Sequence, residues 1–341
     1  MSKKNLIIGI LIGVLFFVFG NVLAQDLQQQ YNQKIQQANE VRAKMGQEGI
    51  TRDEYDKLKK EYDSLQAELK VLSDKINSDV ALTEKINNAK RAYNDGNTLF
   101  KKGQFDEALA AYDKAISLDP GYSKAYYGKG LTFVKQRKLD EAIAAFNKAV
   151  EIDPSYDKAF SALGSAYKDN KNYPESIAAY QKAMEIDQKD ASIIYNLALV
   201  YNDMKDFSSA VKNFRMATQI DPEHYRAFTM LGEALMNNGE LEQAVLALEN
   251  ALAIKADYDR ANFQLATMNN KLGNYTEALA AAEKCLLKPG SYKGGANFEA
   301  GVACKQLGNT AKAKEYFEAA AKDSRWRKNA QYEIDLLNKV Q

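Results

Sequence analysis

Residues 107–120, Glu-Ala-Leu-Ala-Ala-Tyr-Asp-Lys-Ala-Ile-Ser-Leu-Asp-Pro, return 34 positions later as residues 141–154, Glu-Ala-Ile-Ala-Ala-Phe-Asn-Lys-Ala-Val-Glu-Ile-Asp-Pro. A unit of that length is one supersecondary element, too small to bury its own apolar face and stable only against neighbours of its kind. The return therefore points to a stacked array. A single central core is not required, although the chain has 341 residues.

Three series of small residues keep the period. Ala108, Ala142, Ser176, Ala210, Ala244 and Ala278 form one, and Ala115, Ala149, Ala183, Ala217, Ala251 and Cys285 a second. Gly96, Gly130, Gly164, Ala198, Gly232 and Ala266 stand twelve residues before the first. Small side chains at all three places let two helix backbones approach closely. Between them apolar residues fall three and four apart, as in Leu163, Ala166, Tyr167 and then Ile177, Tyr180, Ala183, Met184, the stripe of an amphipathic helix. Each unit reads as two helices. Gly103, Asn172, Gly239 and Gly273 mark the break within units, where a residue tolerant of positive φ ends a helix. Asp119-Pro120, Asp153-Pro154 and Asp221-Pro222 close units, because a helix stops near the residue before proline. Pro174 falls in a first helical turn, where its missing N–H costs nothing, and Pro289 lies one place early in the phase.

These residues resemble the tetratricopeptide repeat family. Its small–aromatic–small pattern and terminal proline are matched best at 89–122 and 123–156, then at 157–190, 191–224, 225–258 and 259–292. A seventh unit, about 294–327, is shifted by one residue, with Gly301, Gly308, Ala313 and Ala320 in the expected roles. Ser176 and Gln188 depart from the family's Ala and Pro in the third unit. The resemblance implies an all-α fold, a right-handed α-solenoid of about seven helix pairs over 89–326. Residues 328–341 read as a capping helix with one apolar and one charged face.

The N-terminus carries a separate signal. Lys3-Lys4 precede an apolar run from Leu6 to Phe19, which ends in Gly-Asn-Val-Leu-Ala24, the layout of a signal peptide cleaved after Ala24. Anchoring in the inner membrane by residues 6–23 is the alternative, although a bilayer core needs about 20 apolar residues. No cysteine near the cut allows a lipoprotein anchor. The segment resembles those of bacterial exported proteins, so the expected address is periplasmic or extracellular. With 46 basic against 45 acidic residues, no net field attracts nucleic acid or an anionic membrane surface.

Residues 25–88 form a different module, rich in Gln, Lys, Glu and Asp. Tyr55, Leu58, Tyr62, Leu65, Leu69, Leu72 and Ile76 alternate three and four apart, keeping one seam toward a partner helix as in a coiled coil. Leu27, Tyr31, Ile35, Ala38, Val41 and Met45 form an earlier stripe, and Thr51-Arg-Asp-Glu54 reads as a capping box. An intramolecular hairpin and a homo-oligomer through residues 26–86 both satisfy this pattern, with a slight preference for self-association.

Nothing here assembles an active site, and neither a cofactor nor a metal is implied. The lone His224, in the turn Asp221-Pro222-Glu223-His224, reads as a solvated surface residue, and no Gly-rich phosphate loop appears. The two cysteines, Cys285 and Cys304, fall on helices that should touch, so a disulfide competes with two buried free thiols. The periodic Glu107, Glu141, Glu175 and Glu277 suit helix starts.

The family resemblance places phase five of each unit on a concave groove. That phase holds Tyr93, Tyr127, Ser161, Tyr195, Thr229, Phe263 and Phe298, and phase two beside it holds Lys90, Lys124, Lys158, Ser192, Arg226 and Arg260. Aromatic anchors next to a cationic row suit an extended peptide or helix bearing acidic residues. The family's clamp for a peptide's terminal carboxylate is met only by Asn97 and Lys158, so that ligand is not expected. The resulting expectation is a non-enzymatic protein-binding scaffold of the cell envelope. An accessory or carbohydrate-binding subunit, using the aromatic row to stack on sugars, is the alternative.

Overall fold

The computed structural model describes residues 26–47, 49–287 and 290–340, and all regular structure among them is helical. The expected signal segment, residues 1–24, lies outside these residues, as does Pro289. Among the described residues no helix is long and apolar enough to cross a membrane. The chain divides into two compact units, one ending at Ala125 and one beginning at Tyr126.

The first unit begins with α1 (26–45) and α2 (Arg52–Lys101). Thr51 caps α2 with both halves of the capping box formed, its hydroxyl accepting from Glu54 N and the Glu54 carboxylate accepting from Thr51 N at 3.0 Å. α1 packs back on α2 through Ala38, Val41, Leu65 and Leu69, flanked by Tyr31, Met45, Leu58 and Tyr62. Lys34 and Glu68 pair across the two helices at 2.7 Å. The seam on α2 is thus met by α1 of the same chain. α2 then runs on without a break past residue 88, so the first helix of the first repeat is the end of α2 and packs against α3 (Phe105–Leu118).

α4 (Ser123–Lys135) spans the division, and the second unit continues through α5 (Leu139–Ile152), α6 (Asp157–Asp169), α7 (Tyr173–Ile186), α8 (Ala191–Asp203) and α9 (Phe207–Ile220). It ends with α10 (Tyr225–Asn237), α11 (Leu241–Ile254), α12 (Asp259–Leu272), α13 (Tyr275–Leu286), α14 (Lys293–Gln306), α15 (Thr310–Ala320) and α16 (Arg327–Val340). Odd and even helices alternate as second and first members of helix pairs, the α-solenoid expected from the period.

The glycine series has a steric reason. A Cβ on Gly130 would lie 2.5 Å from the Phe146 ring, on Gly164 2.8 Å from the Tyr180 ring and on Gly301 2.6 Å from the Phe317 ring. These three first helices therefore offer bare backbone to a ring from the second helix, and Gly232 does the same for Leu248. Phe146, Tyr180, Phe214 and Phe317 are all essentially inaccessible to solvent. Burying each such side chain contributes about 1.5–3 kcal/mol. Ala330, Ile334 and Leu337 of α16 join Phe317 in the last core cluster and close that end.

One expectation needs correction and one open choice is resolved. Within-unit turns place Gly103, Gly239, Gly273 and Gly308 at positive φ, but in the third repeat the left-handed residue is Lys171 (φ 62°), not Asn172. Asn172 has φ −87° and begins α7 as its N-cap. Arg137 and Lys205 occupy the same phase at φ 61° and 62°, so the period fixes the left-handed position regardless of residue type. The disulfide is not formed: Cys285 and Cys304 are buried free thiols. Cys285 Sγ donates to the Asp259 carbonyl at 3.4 Å, whereas Cys304 packs with Ala313, Phe317 and Ile334, so the two sulfurs serve different layers. Burial pushes the Cys285 thiol up to about 11.

Candidate partner-binding wall

The phase-five rings are half-buried and engaged. In the first unit Tyr93 lies 6.0 Å from Tyr112 and 5.2 Å from Tyr122. In the second, Tyr127 contacts Phe146 and Tyr156 at 5.9 and 5.1 Å, and Tyr195 contacts Phe214 at 5.7 Å and stacks on His224 at 5.0 Å. Phe263 stacks on Tyr292 at 5.5 Å, and Phe298 contacts Phe317 and Trp326. Tyr93, Tyr127, Tyr195 and Phe298 each join a ring of the following helix to one just before the next even-numbered helix, whereas Phe263 meets Tyr292 and Trp326, so part of the purpose of these rings is packing, worth about 0.5–1.5 kcal/mol per pair. Thr229 is 1% exposed and donates to the Tyr225 carbonyl at 2.9 Å, which closes this phase in the fifth repeat.

The partners of these rings form a row that sequence reasoning missed. Tyr122, Tyr156, Asp190, His224, Tyr258, Tyr292 and Trp326 are spaced 34 apart, each just before a first helix. The period itself was the available signal. His224 belongs to this row and is not the solvated residue expected: its Nδ1 accepts from Ala227 N at 3.1 Å, capping α10, while its ring stacks on Tyr195.

The phase-two cations differ in setting. Lys124, Lys158 and Arg226 are exposed, whereas Lys90 and Arg260 are half-buried. The Arg226 guanidinium lies 5.7 Å from the Tyr225 ring. Arg260 donates to Glu233 at 2.5 Å, and Gln264 donates to the same carboxylate oxygen at 2.8 Å. Burial works against the Arg260 charge, but Glu233 outweighs it and the pKa moves up. Burial raises the Tyr195 phenol, which also feels Arg260, Tyr258, Arg226 and Glu233. Sequence positions from α8, α10 and α12 therefore converge on one wall of the second unit. Gln264 Oε1 is buried there and meets no donor. In the first unit, Asn97 of the carboxylate clamp is already engaged, accepting from the Tyr112 hydroxyl at 2.8 Å.

Further along the wall Glu299 ties α14 to α12. It is 8% exposed and accepts from Thr267 Oγ1 at 3.1 Å and Asn270 Nδ2 at 2.8 Å. Burial holds its carboxyl above the usual range. Beside it Phe263, Tyr292, Gly295, Trp326, Ser291, Arg325 and Asn329 line a cleft of about 310 Å³. Among the described residues no group of three or more His, Cys, Asp or Glu could hold a metal ion.

Tetratricopeptide repeat models match residues 93–157, 164–205 and 191–224, and a model described as the TT21 fifth ARM repeats domain matches 225–336. The C-terminal part of a TPR repeat-containing protein from Cytophaga hutchinsonii is 16% identical over 70% of this chain and 97% of its own, with a TM-score of 0.60. PilF of Pseudomonas aeruginosa is 21% identical over 62% and 97%, TM-score 0.53. A tetratricopeptide repeat protein from Parabacteroides merdae is 14% identical over 74% and 99%, TM-score 0.52. Likeness at these identities shows the fold. Comparison with curated proteins returns no match.

Proposed function

We propose that this chain is a non-enzymatic scaffold of the cell envelope, and that the wall formed by α8, α10, α12 and α14 holds a segment of another protein. The observation that carries the reading is the convergence of Tyr195, Arg226, Tyr258, Arg260 and Tyr292 on that wall. Half-exposed aromatics interleaved with arginines are the residue types that anchor protein interfaces, and tetratricopeptide proteins are generally interaction scaffolds. The envelope address rests on the pattern from Lys3 to Ala24 alone. Pairing of copies through residues 26–86 is a separate proposal; light scattering that stays at the mass of one chain removes it.

Arg226→Glu is the informative substitution, because Arg226 is exposed and carries no ion pair among the described residues. Cross-linking in intact cells should recover an envelope protein with the wild-type chain and at least about tenfold less with Arg226→Glu, the scale of a lost charge-assisted contact plus repulsion. Undiminished capture refutes the wall. Retention on glycans without any protein adduct would replace this reading by the carbohydrate-binding one.

A further inference from the structure

The cleft between α12, α14 and the turn before α16 has a construction found at no other repeat among the described residues. Its aromatic floor rests on bare backbone: a Cβ on Gly295 would lie 2.5 Å from the Phe263 ring and 3.0 Å from Trp326. Phe263 is flanked by two rings of the row that precedes the first helices, Tyr292 stacked at 5.5 Å and Trp326 edge-on at 6.1 Å. Three rings thus border a space of about 310 Å³. An apolar cavity of about 150 Å³ accommodates benzene, so one aromatic or leucine-sized side chain fits with room for adjoining backbone.

The charge around this space is lopsided. Arg325, whose side chain is 62% exposed, stands in the lining, held by Asp323 and by the Ser291 carbonyl. Lys293, Arg327 and Lys328, next to Tyr292 and Trp326 in the chain, are exposed, and Arg260 acts electrostatically on Tyr292. The carboxylates nearby are Asp259, Asp323 and Glu233; Asp323 pairs with Arg325 and Glu233 with Arg260, which leaves Lys293, Arg327 and Lys328 against Asp259. Cations in excess around an aromatic floor select an anionic partner with an apolar anchor.

Resting on the protein-binding reading above, we propose that this cleft is the anchor site for an acidic peptide segment. It takes one Phe-, Tyr- or Leu-type side chain against the rim formed by Phe263, Tyr292 and Trp326, while flanking carboxylates meet the exposed Arg325 and Lys293.

Trp326 is the chain's only tryptophan, so its emission reads the cleft directly. The full chain is titrated with the peptide acetyl-Asp-Glu-Phe-Glu-Asp-amide, with its Phe-to-Ala analogue and with an analogue carrying Lys at the four acidic places. A saturable change in emission is expected with the first, at least about tenfold weaker binding with the second, and no change with the third. Asn329→Phe sets a ring into the cleft from an exposed position and should abolish the response without altering thermal unfolding. Arg325→Ala should weaken the acidic peptide about threefold or more, and it keeps the test open if Asn329→Phe does not fold. No saturable change up to about 1 mM overturns the proposal. So does an equal response to the Ala analogue, or, when chitohexaose is titrated in parallel, a response to that sugar alone. If cellular capture depends on Arg226 while Trp326 stays silent, the wall stands and the anchor cleft falls. If Trp326 responds to the peptide while capture ignores Arg226→Glu, the cleft stands and the wall falls.

Discussion

Arg137, Lys171 and Lys205 hold left-handed backbone at the phase where Gly103, Gly239, Gly273 and Gly308 sit in other repeats. All three side chains are exposed, so replacing them by glycine removes little besides the Cβ. A non-glycine residue in this region costs about 1–2 kcal/mol. Glycine returns about 0.4–1 kcal/mol of that through the greater freedom of the unfolded chain. Each of Arg137→Gly, Lys171→Gly and Lys205→Gly should therefore stabilise the array by about 0.5–1 kcal/mol. The sites lie in separate turns, so the triple substitution should add to about 1.5–3 kcal/mol. Because repeat arrays depart from two-state unfolding, the assay is urea denaturation followed by hydrogen exchange of the helices flanking each turn. Protection should rise locally at the substituted repeat. Gly239→Lys should lose a similar amount. If Lys171→Gly destabilises, or Gly239→Lys is silent, then the turn does not impose the left-handed conformation and the argument fails.

Ionised Glu299 is penalised by burial, so its folded carboxyl holds a proton more tightly than the unfolded one. Its favourable contribution is present below the unfolded-state value near 4.5 and is lost as pH rises through the raised folded value, so Glu299→Gln should remove that loss and make the rise of stability along the acid limb steeper. Iodoacetamide at neutral pH should label neither Cys285 nor Cys304 in the folded chain and both in urea, with or without reductant, because both are free, buried thiols. Labelling in urea that needs reductant would show a bridge. The Arg260–Glu233 pair should give a coupling of about 1 kcal/mol in a double-mutant cycle, since both side chains remain partly solvated. Protein isolated from its own cells should begin at Gln25; a chain that retains Lys3-Lys4 would count against export with cleavage.

The period was legible because packing repeats with it. A small residue must face the side chain sixteen residues on, as Gly130 faces Phe146 and Ala198 stands before Phe214, and that need writes small residues into the sequence at fixed intervals. Turn geometry was less legible. Asn172 is a residue type that tolerates positive φ, yet the preceding Lys171 occupies that position, because the array sets backbone conformation by place and pays the side-chain cost. The binding surface was half visible. Tyr195, Phe263, Arg226 and Arg260 were identified by phase, but Tyr258, Tyr292 and Trp326 were not, since they precede helices and belong to no amphipathic stripe. His224 was misplaced for the same reason: a turn histidine looks solvated until its cap and its stacking on Tyr195 are seen. Nothing in the sequence sets Glu233 and Glu299 apart from other helix carboxylates, yet they bind successive first helices together.

The central claim is that the first-helix wall of the second unit, and not its back, meets another protein. A photo-crosslinking residue placed at Arg226, on the wall, is compared in living cells with one at Glu249, exposed on α11. The account predicts a discrete protein adduct from position 226 that is absent from position 249. Adducts of equal yield from both positions, or an adduct from position 249 alone, would contradict it.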